Sequence, residues 1–131
     1  MHERHEEPSA TELELLKALW TLGPATIRQL ADRLYPGGGP AQYATVQKLL
    51  DRLEAKRCVK RRRVERVNVF SASVERADLI ERRLRSAARD LCEGSLTPLL
   101  THLVGHTGLR GDELRALREL VERRRRDGGT R

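Results

Sequence analysis

Aromatic side chains are scarce in this chain: they make up 3% of its 131 residues, against 38% hydrophobic and 34% charged. A core of that composition has to be mostly Leu, Val, Ile and Ala, which favours helices over an all-β fold. Cysteine is sparse too. Cys58 and Cys92 lie far apart in sequence and neither belongs to a C-x-x-C pair, which excludes a zinc-finger framework. A disulfide between them is unexpected in the cytosol, so buried or inert thiols are expected. No apolar run approaches the roughly 20 residues that span a bilayer. The start, MHERHEEPSA, lacks the apolar stretch of a signal peptide. The expectation is a cytoplasmic protein with no membrane segment.

The length allows one domain, or two small lobes sharing a core. A three-helix lobe with few aromatics buries little on its own, which predicts association of copies. The formal net charge of +7 permits nucleic acid or an anionic membrane surface as partner.

Residues 41–72 are the informative stretch. They read AQYATVQKLLDRLEAK and then RCVKRRRVERVNVFSA. Val46, Leu49, Leu50 and Leu53 recur at helical spacing on one stripe of a helix expected over residues 42–56. The opposite face carries small, polar and basic residues. Side chains near the start of such a helix reach base edges most easily, which nominates Tyr43, Ala44, Thr45, Gln47 and Lys48. Gln suits adenine N6/N7, Lys suits guanine O6/N7, and Ala or the Thr methyl suits the thymine methyl. Arg52, a turn later, suits a phosphate, while Asp51 would repel DNA unless it pairs with Lys48 or Arg52. The alternative for this face is ordinary solvated helix surface.

The following residues alternate as two short strands with a turn near Val64-Glu65. Arg57, Lys60, Arg61, Arg62, Arg63 and Arg66 crowd around that turn. A basic run is often only solvated. Here it is interleaved with Val59, Val64, Val67, Val69 and Phe70, which a disordered basic tail lacks. A folded basic hairpin beside a helix with a basic face makes a phosphate clamp.

On the N-terminal side, Thr11 and Glu14 match a capping box, and Leu13, Leu16, Leu19 and Trp20 predict a first helix ended by Gly23-Pro24. Trp20 is expected in the core. Thr26 and Gln29 cap a second helix with Ile27, Leu30, Ala31 and Leu34 as its apolar stripe. The Pro36-Gly37-Gly38-Gly39-Pro40 loop lacks the Gly-Lys-Ser/Thr of a nucleotide-binding P-loop, and a flexible connection is expected.

From Ser73, expected to cap a fourth helix, the composition changes. Ala77, Ile80, Leu84, Ala87, Ala88 and Leu91 step by three and four, Gly94 closes that helix and Ser95 opens a fifth. Leu96, Leu99, Leu100, Leu103 and Val104 make the fifth amphipathic; Leu114, Leu117, Leu120 and Val121 predict a sixth. None carries a reading face, and so much Leu exceeds what one thin lobe hides, so a partner surface is expected. Ile80, Leu84, Ala88, Leu91, Leu96, Leu99, Leu100, Leu103, Leu117 and Val121 are the candidate dimerisation residues. Residues 123–126 and the DGGTR that follows predict a frayed, solvated tail.

Enzymatic signals are missing. His102 and His106 have the i, i+4 spacing of a zinc-protease motif, but Leu103 stands where its Glu would be and no third ligand is evident. Surface histidines are expected, with a metal-responsive site as the alternative. His2 and His5 carry no weight. No Ser-His-Asp, Cys-His or paired-carboxylate arrangement stands out, and no enzyme, cofactor or metal is predicted.

Taken together, these segments resemble the penicillinase-repressor family (BlaI/MecI type, with copper-responsive relatives) of winged helix-turn-helix repressors. TELELLKALW and ATIRQLADRL match the first two helices, YATVQKLLDRLEAK the recognition helix and VKRRRVERVNVFSA the wing. GSLTPLLTHLV and DELRALRELV match the carboxy-terminal helices. The resemblance implies a homodimer whose amino-terminal lobes each bind half of a palindromic operator on double-stranded DNA. It places Tyr43, Ala44, Thr45, Gln47 and Lys48 on the groove-reading segment, Arg52 on a conserved arginine and Arg66 on the wing arginine. Arg57 and Val64-Glu65 stand where the family usually has glycines, which predicts a longer or differently bent wing, and Asn68 replaces a usual aromatic. The cysteine-rich motif of the copper-responsive branch is absent. The β-lactam branch implies a membrane sensor-protease partner cleaving an Asn-Phe bond; His102-Leu103 stands at about that place and departs from the pattern.

The expected fold is mainly α: three helices and a β-hairpin wing over residues 11–73, then a helical dimerisation region over 74–123. Disordered ends are expected over 1–10 and 124–131. The expected function is a homodimeric, sequence-specific repressor of β-lactam or stress-response genes. The alternatives are a helical protein-interaction adaptor with a basic hairpin, or a metal-responsive regulator.

Overall fold

Ser9, rather than Thr11, starts the first helix. The Ser9 Oγ accepts the Glu12 N–H at 3.2 Å and Glu12 Oε1 accepts the Ser9 N–H at 3.0 Å, a reciprocal capping box. Two capping boxes overlap in Ser-Ala-Thr-Glu-Leu-Glu, and the earlier one forms because it buries Glu12 beside Lys56. Leu15 and Ala18 face inward with Leu16 and Leu19, and Leu13 is only partly covered. The computed structural model describes residues 7–106 and 108–128. The expectation of disorder over 1–10 is therefore corrected at Ser9 and Ala10; residues 1–6 lie outside those described.

Along the chain come α1 (Ala10–Leu22), α2 (Ile27–Leu34), α3 (Pro40–Ala55), β1 (Val59–Val64), β2 (Val67–Ala72), α4 (Arg76–Cys92), α5 (Thr97–His106) and α6 (Gly111–Gly128). The architecture is mainly helical: three helices and a two-stranded hairpin, then three more helices. Thr26 caps α2 as expected, exchanging bonds with Gln29 at 2.8 and 3.1 Å.

The apolar stripe of α3 packs on α1 and α2. Val46, Leu50 and Leu53 are fully buried there with Leu15, Leu16 and Leu30, and Phe70 closes the core from the hairpin. Phe70 also fixes the hairpin through its backbone, donating to the Ala25 carbonyl at 2.8 Å and accepting from the Ala25 N–H at 2.9 Å. Trp20 packs against this core as expected, and its indole N–H donates to the Val74 carbonyl at 2.9 Å.

α3 ends in a Schellman turn, with Cys58 N–H bonded to the Leu53 carbonyl at 2.8 Å and Arg57 N–H to the Glu54 carbonyl at 3.0 Å. Arg57 takes the left-handed conformation (φ 64°) that glycine usually supplies. The hairpin then pairs six residues with six, in unbroken register from Val59↔Ala72 to Val64↔Val67. Its turn is Glu65-Arg66, one residue later than expected, and both take positive φ, 50° and 70°. That is the geometry of a tight two-residue hairpin turn, whose twist matches the strands. The wing is thus neither lengthened nor bent by the missing glycines.

By its contacts the chain divides after Ile80, inside α4, not at the 73/74 boundary expected. Val74 and Leu79 belong to the amino-terminal core, which explains the later division. Ser73 does not cap α4: its N–H bonds to the Cys58 carbonyl at 2.8 Å, and Asp78 accepts the Glu75 N–H at 3.0 Å instead.

In the second unit, Glu93 and Gly94 leave the helix at positive φ, 52° and 88°, and the Ser95 Oγ accepts the Thr97 N–H at 3.2 Å. No residue of α5 or α6 is buried. α6 runs on to Gly128, so residues 124–128 are helical where a disordered tail was expected. Arginine is a good helix former, and the Glu122–Arg125 pair at 3.4 Å spans that last stretch. Residues 129–131 lie outside those described. Among the described residues no helix is long and apolar enough to cross a membrane.

Candidate nucleic-acid interface

α3 begins without a side-chain cap. Its N-cap is Gly39, Pro40 occupies the first turn, and Gln42 reaches back to accept the Gly39 N–H at 2.8 Å. Gly38 allows that approach, since a Cβ there would lie 2.8 Å from the Gln42 Cγ. With its stripe turned to the core, α3 leaves Tyr43, Ala44, Thr45, Gln47, Lys48 and Arg52 exposed on the opposite face. The Thr45 hydroxyl donates to the Ala41 carbonyl at 3.0 Å, which leaves its methyl as the outward group.

Pairing sorts the wing by face. Val59 and Phe70 are buried, and side chains alternate along a strand. Arg61 and Arg63 therefore lie on the inner face with Val59, opposite Phe70 and Asn68. Lys60, Arg62 and Val64 lie on the outer face, and Arg66 sits in the turn. The four arginines of the expected clamp do not share one surface.

A cleft of about 480 Å³ opens between α2, α3 and the inner wing face, lined by Thr26, Ile27, Arg28, Tyr43, Arg63, Arg66, Val67 and Asn68. It gathers three guanidinium groups around one exposed tyrosine, at the amino-terminal end of α2, where the helix dipole is positive. Arg28 was missed in the sequence. Its only signal there was its place two residues after the Thr26 cap. Asn68 is half-buried and gives this cleft a polar wall.

Arg61, expected as a DNA contact, is engaged within the amino-terminal lobe. Its guanidinium bonds both Glu54 oxygens and Asp51, and lies 5.0 Å from the centre of the Phe70 ring. Asp51 is thus paired with Arg61, not with Lys48 or Arg52. Hydrogen bonding to Glu54 holds the Arg61 pKa above its ordinary value, against a smaller opposing effect of burial. In contrast, Arg28, Lys48, Arg52, Arg62, Arg63 and Arg66 form no ion pair among the described residues. Six cations, none within ion-pair distance of a carboxylate among the described residues, surround the outer face of α3 and the wing, which suits a polyanion.

The candidate dimerisation residues are mostly uncovered. Ala88 is buried, Leu99 and Leu117 are half-buried, and Ile80, Leu84, Leu91, Leu96, Leu100, Leu103 and Val121 are exposed. Leu114, Leu120 and Val104 add to the same exposed apolar set. The His102 and His106 rings lie 4.7 Å apart, but no group of three metal-ligating side chains converges among the described residues. Cys58 is buried and Cys92 half-buried, and no disulfide joins them.

The profile of the penicillinase repressor family matches residues 8–123. An uncharacterized 16.5 kDa protein of the ptsI 3′ region of Latilactobacillus sakei is 27% identical over 121 residues, which cover 92% of this chain and 82% of that protein. A solved structure of a ZitR mutant from Lactococcus lactis aligns with 97% of this chain and 80% of its own at 17% identity, with a TM-score of 0.45.

Proposed function

We propose that this chain, which belongs to the penicillinase repressor family and is a DNA-binding transcription repressor, acts as a homodimer on a two-fold symmetric operator. Family membership makes it a transcription regulator and not an enzyme. In this proposal α3 reads the major groove through Tyr43, Ala44, Thr45, Gln47 and Lys48. Arg52, Arg62, Arg63 and Arg66 hold phosphates, and Arg28 joins them. The amino-terminal lobe is the DNA-binding domain, and the helices from α4 onward form the dimer.

One observation carries the proposal. The cleft beside α3 brings Arg28, Arg63 and Arg66 together around Tyr43, next to a helix face that nothing in the lobe covers. Phosphate contacts there would fix register while α3 carries base preference. The exposed leucines of α4, α5 and α6 support the dimer, because α5 and α6 have no buried residue of their own and need a partner surface to be stable. A two-fold axis then sets half-sites about 34–36 Å apart, or a multiple of that. Occupation of a promoter by such a dimer blocks transcription. Control of β-lactam or stress-response genes belongs to the same proposal.

The test is equilibrium binding of the full chain to genomic duplexes against random competitor. Preference for a palindrome, lost on scrambling one half-site, is the expected result. Equal binding to all duplexes would favour an adaptor with a merely basic surface.

A further inference from the structure

We infer that Arg61 is a positioning residue, a strut that sets the separation between α3 and the wing. The inference rests on the proposal that α3 and the wing are the two DNA-contacting elements. Arg61 Nε lies 3.1 Å from each Glu54 oxygen, and Nη2 lies 2.7 Å from Glu54 Oε1 and 3.0 Å from Asp51 Oδ1. Its guanidinium sits 5.0 Å from the centre of the Phe70 ring. Phe70 is the cross-strand partner of Arg61, is 1% exposed, and is the residue whose backbone anchors β2 to Ala25. One side chain therefore joins the last turns of α3, the first strand of the wing and the ring that roots the second strand.

Arginine is suited to that place and lysine is not. Its planar fork can hold two carboxylates in its plane while its face rests on an aromatic ring; an ammonium offers neither the plane nor the face. Location gives the strut its consequence. Asp51 stands one turn beyond Gln47, on the helix that would read bases. Arg63 stands two residues beyond Arg61, on the same strand face, where it would hold a phosphate. The strut thus fixes how far the grip lies from the reader. Half-exposed ion pairs add little to stability, so the network acts chiefly on geometry.

The inference reverses the sign of an ordinary electrostatic expectation. Neutralising a carboxylate beside a DNA-binding surface should strengthen binding by reducing repulsion. Glu54→Gln should instead weaken it, because the wing loses its hold on α3.

The experiment measures affinity of the full chain for an enriched duplex by fluorescence anisotropy at several salt concentrations, with folding of each variant checked by circular dichroism. Arg61→Ala should weaken binding roughly tenfold with the salt dependence unchanged, as a misplaced but intact phosphate grip would. Arg63→Ala should lower the salt slope by about one, as a lost phosphate contact does. Glu54→Gln should weaken binding several-fold, and Arg61→Lys should not restore it. If Arg61→Ala lowers the slope by about one and Glu54→Gln strengthens binding, Arg61 is itself a phosphate contact; the strut is overturned and the DNA-binding proposal stands. A wild-type chain with no preference over random duplex overturns that proposal. Amide exchange in the free protein then decides on the strut: faster exchange across β1 in Arg61→Ala supports it, and an unchanged rate overturns it.

Discussion

The Lys56 ammonium lies 2.6 Å from Glu12 Oε1, joining the end of α3 to the first turn of α1. Lys56 also reaches the Glu7 carbonyl at 3.3 Å, and Glu12 is at the same time the capping partner of Ser9. Glu12 is 2% exposed. Burial pushes its carboxyl pKa up. The Lys56 bond, the Ser9 N–H and the charges of Lys56 and Arg52 push it down and prevail, so it lies below its ordinary value.

Breaking this pair leaves a buried charge without its partner. Glu12→Gln or Lys56→Met should cost roughly 2 kcal/mol, less than a fully buried pair because the Lys56 side chain is 20% exposed. A carboxyl with a lowered folded pKa contributes stability above its unfolded value and loses it as pH falls. Relative to Glu12→Gln, the wild-type advantage should therefore be complete above the ordinary value of 4.5 and shrink below it. Melting temperatures against pH should converge in acid; curves that stay parallel would show that the Glu12 charge is not involved.

The wing turn holds two side chains in the left-handed region, Glu65 at φ 50° and Arg66 at φ 70°. A residue tolerant of that conformation should relieve about 1 kcal/mol. Glu65→Asn should raise the melting temperature and, by removing an acid beside Arg66, tighten DNA binding. Arg66→Gly should also stabilise the fold but weaken binding. Thermal melts and anisotropy titrations separate the two effects.

The groove and the cleft make opposite predictions for specificity. Arg28→Ala and Arg63→Ala should weaken binding to all duplexes alike, each lowering the salt slope by about one. Gln47→Ala should relax base preference, at about 1–3 kcal/mol for a lost bidentate contact. A Gln47→Ala chain whose affinity falls equally for every competitor would remove α3 as the reader.

The exposed leucines predict the assembly. A charge placed at Leu100 or Leu120, which are 52% and 54% exposed, would be harmless on a true surface. Across a dimer interface, Leu100→Glu or Leu120→Glu should give a monomer in sedimentation equilibrium and sharply reduced operator binding.

Much of the fold was legible because its signals were local and repeated. The stripes of α2 and α3, the alternation in VKRRRV and VNVFSA, and the Thr26 cap each follow from spacing alone. What the sequence hid depends on partners distant along the chain. Thr11-x-x-Glu14 and Ser9-x-x-Glu12 are equally good capping boxes until Lys56 arrives from the end of α3. Ser73 looks like a cap but is drawn to the Cys58 carbonyl. The missing glycines at Arg57 and the wing suggested a changed path. The backbone keeps its turns because two paired strands and a packed Phe70 outweigh the strain of three left-handed side chains.

The candidate site was legible as a composition and less so as a surface. Tyr43, Ala44, Thr45, Gln47, Lys48 and Arg52 share one exposed face, as helical spacing requires. The arginine run was harder, because a strand splits neighbours between faces: Arg62 goes outward, Arg63 inward, and Arg61 into the carboxylates of α3. Arg28 joins Arg63 and Arg66 only through the packing of α2 against the wing, which no local pattern announces.

Selection of bound duplexes from a random pool, read by sequencing, tests the central claim most directly. A homodimer reading through α3 predicts a two-fold symmetric motif with half-site centres about 34–36 Å apart, or a multiple of that. Gln47→Ala should blur that motif within each half-site and leave the spacing intact. A pool with no motif above the random background, bound more weakly as salt rises and equally for every sequence, would contradict the account.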